Sequence, residues 1–144
     1  MGVDGRIKNL TMADSNINAT GKYCGAFVGD SKGNIENCHT QADVIVSGTE
    51  YVGGITGSVD GSASLEQCSN AAKVIASAKY VGGITGEVYS TSTTAVSKSY
   101  NIGSVQGANC VGGIAGTLYS GGTIINVYNV GSVTANKVAG SLVG

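Results

Sequence analysis

The chain has 144 residues, of which 24 are glycine, 8 are Lys or Arg and 9 are Asp or Glu; proline and tryptophan are absent. A net charge of −1 offers no positive surface to a phosphate backbone, which excludes nucleic acid as a partner. Charged residues are only 12% and apolar ones 42%, the reverse of a disordered chain, so the glycines serve a folded backbone and not a linker. No stretch reaches the ~18 consecutive apolar residues of a membrane span, and no membrane insertion is expected.

In chain order, a partial leading copy of a repeat runs from Ile7-Lys8-Asn9-Leu10-Thr11-Met12 through Ile17. A heptad then appears five times, starting at Tyr23 (Y-C-G-A-F-V-G), Tyr51 and Tyr80 (both Y-V-G-G-I-T-G), Cys110 (C-V-G-G-I-A-G) and Val138 (V-A-G-S-L-V-G). The offsets are 51 − 23 = 28, 80 − 51 = 29, 110 − 80 = 30 and 138 − 110 = 28. After each of the first four heptads comes a second shared block: Ile35 to Val44, Leu65 to Val74, Val96 to Val105 and Ile124 to Val133. Each repeat thus holds three β-type pieces rich in Val, Ile, Thr and Tyr, joined by Gly, Ser, Asn and Asp. Asp60-Gly61, Gly121-Gly122 and Lys32-Gly33-Asn34 are turn chemistry. The chain opens part-way through a repeat and stops on the last heptad residue, which is expected of a section of a longer array.

A fixed period in this range means a solenoid, propeller or array. A propeller blade needs about 40–50 residues, and the L-x-x-L-x-L pattern of a leucine-rich horseshoe is missing. The expected fold is all-β: a parallel β-helix with three short strands per coil, and about five coils of 28–30 residues forming one domain over residues 1–144. Stacking then places Val52, Val81 and Val111 in one file, between Cys24 and Ala139. Phe27, Ile55, Ile84, Ile114 and Leu142 form another, Cys38, Cys68, Ser99 and Val127 a third, and Val44, Val74, Val105 and Val133 a fourth. These files are the expected core. Gly53-Gly54 separates two core positions only three apart, so a bend is expected there, with glycine supplying backbone freedom.

V-G-G-I-T-G and V-G-G-I-A-G resemble the GLUG motif, a short repeat of large bacterial surface proteins. The family occurs in adhesin-like proteins and in the non-catalytic part of IgA-specific metallopeptidases. The resemblance covers about Ile7 to Gly144, with Ala26 and Ser141 departing from the second motif glycine. It implies a right-handed β-helix serving as stalk or adhesin, at the bacterial cell surface or outside the cell, with no catalytic residue.

The individual candidates agree with a non-enzymatic role. Cys38 and Cys68 are equivalent in adjacent coils, near enough for a disulfide, yet they also suit a ladder of free buried thiols. The cysteine spacing has no C-x₂-C and His39 is the only histidine, so no metal or cofactor is expected. Cys38 and His39 point to opposite faces of a strand and form no catalytic pair. The acids, among them Asp4, Asp14, Asp30, Asp43 and Asp60, read as scattered. Tyr23, Tyr51 and Tyr80 share a file, as do Tyr89 with Tyr119 and Tyr100 with Tyr128. Stacked ladders are the simpler reading; the alternative makes Tyr89, Tyr100, Tyr119 and Tyr128 a candidate partner surface for a glycan or a host surface protein. Asn70, Asn101 and Asn129 read as an asparagine ladder at a corner. Open strand edges at both ends of the rod suggest end-to-end self-association, and with it a filament.

Overall fold

The β-branched pieces separated by glycine and asparagine joints fold as strands throughout. The computed structural model describes residues 1–119 and 121–144, and among these there is no helix. All eighteen strand pairings are parallel, and each joins a segment to its counterpart about one repeat away. The result is a β-solenoid of about five turns.

The chain visits four sheets per coil. The first sheet contains Arg6–Met12 and Asn34–Thr40, and in later coils it divides into pairs such as Leu65–Glu66 with Ser69–Asn70. The second sheet runs from Asn16–Asn18 through Ile45–Gly48, Lys73–Ala76 and Val105–Gly107 to Val133–Ala135. The heptad supplies the other two. Its first half makes the third sheet, as in Val52–Gly53, and its last residues open the fourth, as in Thr56–Gly61. The expected bend at the paired glycines is thus where one β-type piece becomes two strands.

The register confirms the alignment of three of the four expected files, although their last members Ala139 and Leu142 are exposed. Val81 pairs with both Val52 and Val111, with Cys24 and Ala139 at the ends. The Ile55 amide donates to the Ile84 carbonyl at 2.9 Å, and the Ile84 amide to the Ile114 carbonyl at 2.9 Å. The fourth file is corrected: Val74 pairs with Val46, not Val44. Thr40 aligns with Asn70, so the first coil spends 46 − 40 = 6 residues on a corner that later coils turn in 74 − 70 = 4. Val44 is still buried, on that corner itself.

The interior forms two apolar columns. Ile35, Ile55, Val59, Leu65, Ile84, Val88, Val96 and Ile114 fill the one between the first and fourth sheets. Val46, Val52, Val74, Val81, Val105 and Val111 fill the other, between the second and third. Each fully buried Val, Leu or Ile contributes roughly 1.5–3 kcal/mol relative to exposure. Between the columns lies the asparagine ladder. Asn70 Nδ2 donates to Asn101 Oδ1 at 2.7 Å, and Asn101 Nδ2 donates to Asn129 Oδ1 at 2.8 Å. Asn70 and Asn101 are fully buried, and each also bonds backbone groups of its own corner, such as the Ala72 carbonyl and amide.

The motif glycines act differently from expectation. Neither Gly53 nor Gly54 has positive φ; the left-handed positions near the heptad are Tyr51 (φ 52°), Tyr80 (62°) and Cys110 (51°). Close approach is what excludes a side chain. A Cβ on Gly53 would lie 2.1 Å from the Thr56 carbonyl oxygen and 2.6 Å from Thr85 Cα. A Cβ on Gly54 would lie 2.3 Å from Asn70 Cγ, and on Gly83 2.4 Å from Asn101 Cγ. The second motif glycine is therefore the socket of the asparagine ladder. The first coil, which has Ala26 at this position, has the shorter Thr40 in place of the asparagine.

Gly54→Ala is expected to cost about 3 kcal/mol, the upper range of overpacking, measured by urea unfolding. Adding Asn70→Thr, the pairing found in the first coil, should recover part of that loss.

Candidate functional site

Alternation along the fourth sheet turns Val59 and Val88 into the core and leaves Ser58, Asp60, Glu87 and Tyr89 on the outer face. The register aligns Asp30, Ser58 and Glu87 across three adjacent strands, and sets Asp60 beside Tyr89. Tyr23, at the corner before the third sheet, closes one side. These six residues line an open cleft of about 250 Å³. Beyond Tyr89 a second hollow of about 220 Å³ is lined by Tyr89, Ser90, Thr91 and Tyr119.

Here the reading of scattered acids is overturned, since Asp30, Asp60 and Glu87 share one cleft. The signal was periodic. Asp30, Ser58 and Glu87 each follow directly on a heptad, and Asp60 and Tyr89 stand two residues further on. Charges treated singly appear dispersed; charges taken at a fixed repeat position converge. Lys32 Nζ lies 3.6 Å from Asp60 Oδ2 on the rim. Glu87 is only 7% exposed. Burial raises its carboxyl pKa above the usual range; the Ser58 hydroxyl opposes that shift, and the charges of Asp30 and Asp60 add to it.

The tyrosines fall on two separate faces. Tyr23 and Tyr51 stack at 4.9 Å between centroids and Tyr51 and Tyr80 at 5.0 Å, alongside the cleft. Tyr89 meets Tyr119 edge-on at 5.6 Å. Burial, with the Tyr80 hydroxyl next in importance, raises the Tyr119 phenol above its ordinary value. Tyr100 and Tyr128 stack almost parallel at 4.9 Å on the first sheet. The four tyrosines expected to act together thus form two pairs, and only Tyr89 and Tyr119 adjoin the cleft.

The cysteines are free thiols. Cys38 Sγ donates to the Glu36 carbonyl and Cys68 Sγ to the Glu66 carbonyl, both at 3.3 Å. Ser99 Oγ makes the equivalent bond to the Ser97 carbonyl at 2.7 Å. Cysteine and serine interchange in this file because either group donates back across the left-handed residue between, which is Asn37, Gln67 or Lys98. Burial pushes the Cys68 thiol up to about 12. His39 turns away from Cys38, with Nδ1 2.7 Å from Ser69 Oγ and Nε2 2.9 Å from Asn37 Oδ1. Thr56 and Thr85 are buried, their hydroxyls donating to the Ser58 and Glu87 carbonyls. Among the described residues no three His, Cys, Asp or Glu side chains are grouped as metal ligands would be.

No family description, curated protein or solved structure matches the chain.

A thiol with a raised folded pKa favours folding at low pH and loses that contribution as pH climbs. For Cys68 the loss should begin near the unfolded value of about 8.5 and extend to about 12. Cys68→Val, which borrows the side chain of Val127, should flatten this alkaline decline in melting temperature. For Glu87 the sign is the same: stability is greatest below the unfolded carboxyl pKa and falls as pH rises through the folded one. Glu87→Gln should therefore melt higher than the parent at neutral pH, with the difference vanishing in acid.

Proposed function

We propose that the chain is a rigid, non-catalytic repeat module of a bacterial cell-surface or secreted protein, of the GLUG kind, serving as stalk and binding scaffold. The supporting observation is the uninterrupted parallel register, in which each coil repeats the side-chain files of the one before. Such an array resists bending because every coil is bonded to its neighbours along all its sheets, and it lengthens by adding coils without redesign of the rest. A stalk needs both properties.

The tyrosine-walled cleft favours a second element in this reading, recognition of a glycan or a host surface protein. It shifts the binding face from all four tyrosines to the fourth sheet, where Tyr89 and Tyr119 stand beside Glu87. Tyr100 and Tyr128 are assigned to ladder packing.

Removing one whole coil, residues 51–79, is expected to leave a folded rod shorter by about 4.8 Å, with an unchanged far-ultraviolet dichroism band, as measured by small-angle scattering. Collapse of the shortened chain would defeat the modular reading. In cell-adhesion assays Tyr89→Ala should reduce attachment and Tyr100→Ala/Tyr128→Ala should leave it intact; the opposite pattern would return binding to the first sheet.

A further inference from the structure

One carboxylate in the cleft has a charge that the protein does not answer. Glu87 is 7% exposed, and among the described residues the side-chain ion pairs are Lys32 with Asp60 and Lys98 with Glu66. Among the described residues, the one neighbour relieving Glu87 is the neutral Ser58 hydroxyl. A carboxylate withdrawn from water and left without a cation is disfavoured, and an incoming cation is correspondingly welcome. Asp30 stands on the same line of the sheet and Asp60 at the next outward position, so the cleft gathers three carboxylates against the single ammonium of Lys32.

The protein already sets its own lysines against these groups. Lys32 reaches Asp60, and Lys79 Nζ lies 4.8 Å from the centroid of Tyr80, on the tyrosine row that borders the cleft. The same row disfavours a flat sugar ring. Tyr51 is stacked on both sides, by Tyr23 and Tyr80 at interplanar angles of 27° and 25°, so the row offers a ring face only at its two ends. A slender cationic stem suits walls of this kind better than a pyranose, which needs an open ring face.

We infer that this cleft takes the primary ammonium of a lysine side chain from a basic segment of a partner protein, held by Glu87 and Asp30 between Tyr23 and Tyr89. The hollow beyond Tyr89, lined also by Tyr119, receives an apolar residue adjacent to that lysine. The inference rests on the binding element of the proposed function and not on the stalk.

The test is titration of the intact chain with N-acetyl-Lys-Leu-Lys amide, followed by nuclear magnetic resonance. Shift changes are expected to centre on Tyr23, Ser58, Glu87 and Tyr89. Glu87→Gln and Asp30→Asn should each weaken binding about tenfold, the scale of a charge-assisted hydrogen bond. Lys32→Gln should strengthen it, because it releases Asp60 from an internal competitor; a damaged fold would not produce that gain. Equal binding of the side-chain-acetylated peptide, no effect of Glu87→Gln, or binding of an uncharged N-acetylglucosamine trimer in place of the peptide would each overturn the inference. So would the absence of any shift at millimolar peptide. Each of those results would leave the rod-like scattering of the module untouched, so this failure is distinguishable from failure of the stalk.

Discussion

The close approach of backbone to side chain at the second motif glycine is the constraint on which the coil depends. Gly54, Gly83 and Gly113 leave room for the carboxamides of Asn70, Asn101 and Asn129. Those carboxamides in turn satisfy the corner backbone between the first and second sheets. Fill the socket with a methyl group and the asparagine must move. Move the asparagine and buried donors and acceptors of the corner lose their partners, at a cost comparable to a lost hydrogen bond each. The ladder thus divides the interior into its two apolar columns and fixes how far apart they stand.

Strain is spread in a compensating way. Asn37, Gln67, Lys98 and Asn126 occupy the left-handed region in successive coils, and Tyr51, Tyr80 and Cys110 do so at another corner. Each such non-glycine residue costs on the order of 1 kcal/mol. The tyrosines at that corner are held by stacking on one another, and the buried thiol or hydroxyl that follows the first group bonds back across the kink. Corner geometry and side-chain choice therefore support each other within one coil and are reproduced in the next.

Much of this was legible in the sequence, and for a physical reason: in a solenoid, residues one period apart are neighbours, so alignment of the repeats is already a contact map. Val52 over Val81 and Tyr100 over Tyr128 needed nothing more. Register failed where corner length changed. The two additional residues after Thr40 moved the partner of Val74 from Val44 to Val46, and no periodicity reveals on which side of a corner an insertion falls. The cleft went unread because its acids were judged by chemical clustering along the chain, although Asp30 and Glu87 hold the same place after their heptads. The role of glycine was misjudged for a different reason. Sequence suggests what a residue's own backbone can do, whereas Gly53 and Gly54 are required by the atoms of other strands.

The asparagine ladder has one more implication. Every link in it passes a proton the same way: the Thr40 hydroxyl to Asn70, then the amide of Asn70 to Asn101 and that of Asn101 to Asn129. Neighbouring dipoles aligned nose to tail polarise one another, so the row makes the rod an electrical vector with a donor-facing terminus and an acceptor-facing one. The two extremities are consequently unlike even where their sequences are alike, and coils can be added only in one orientation.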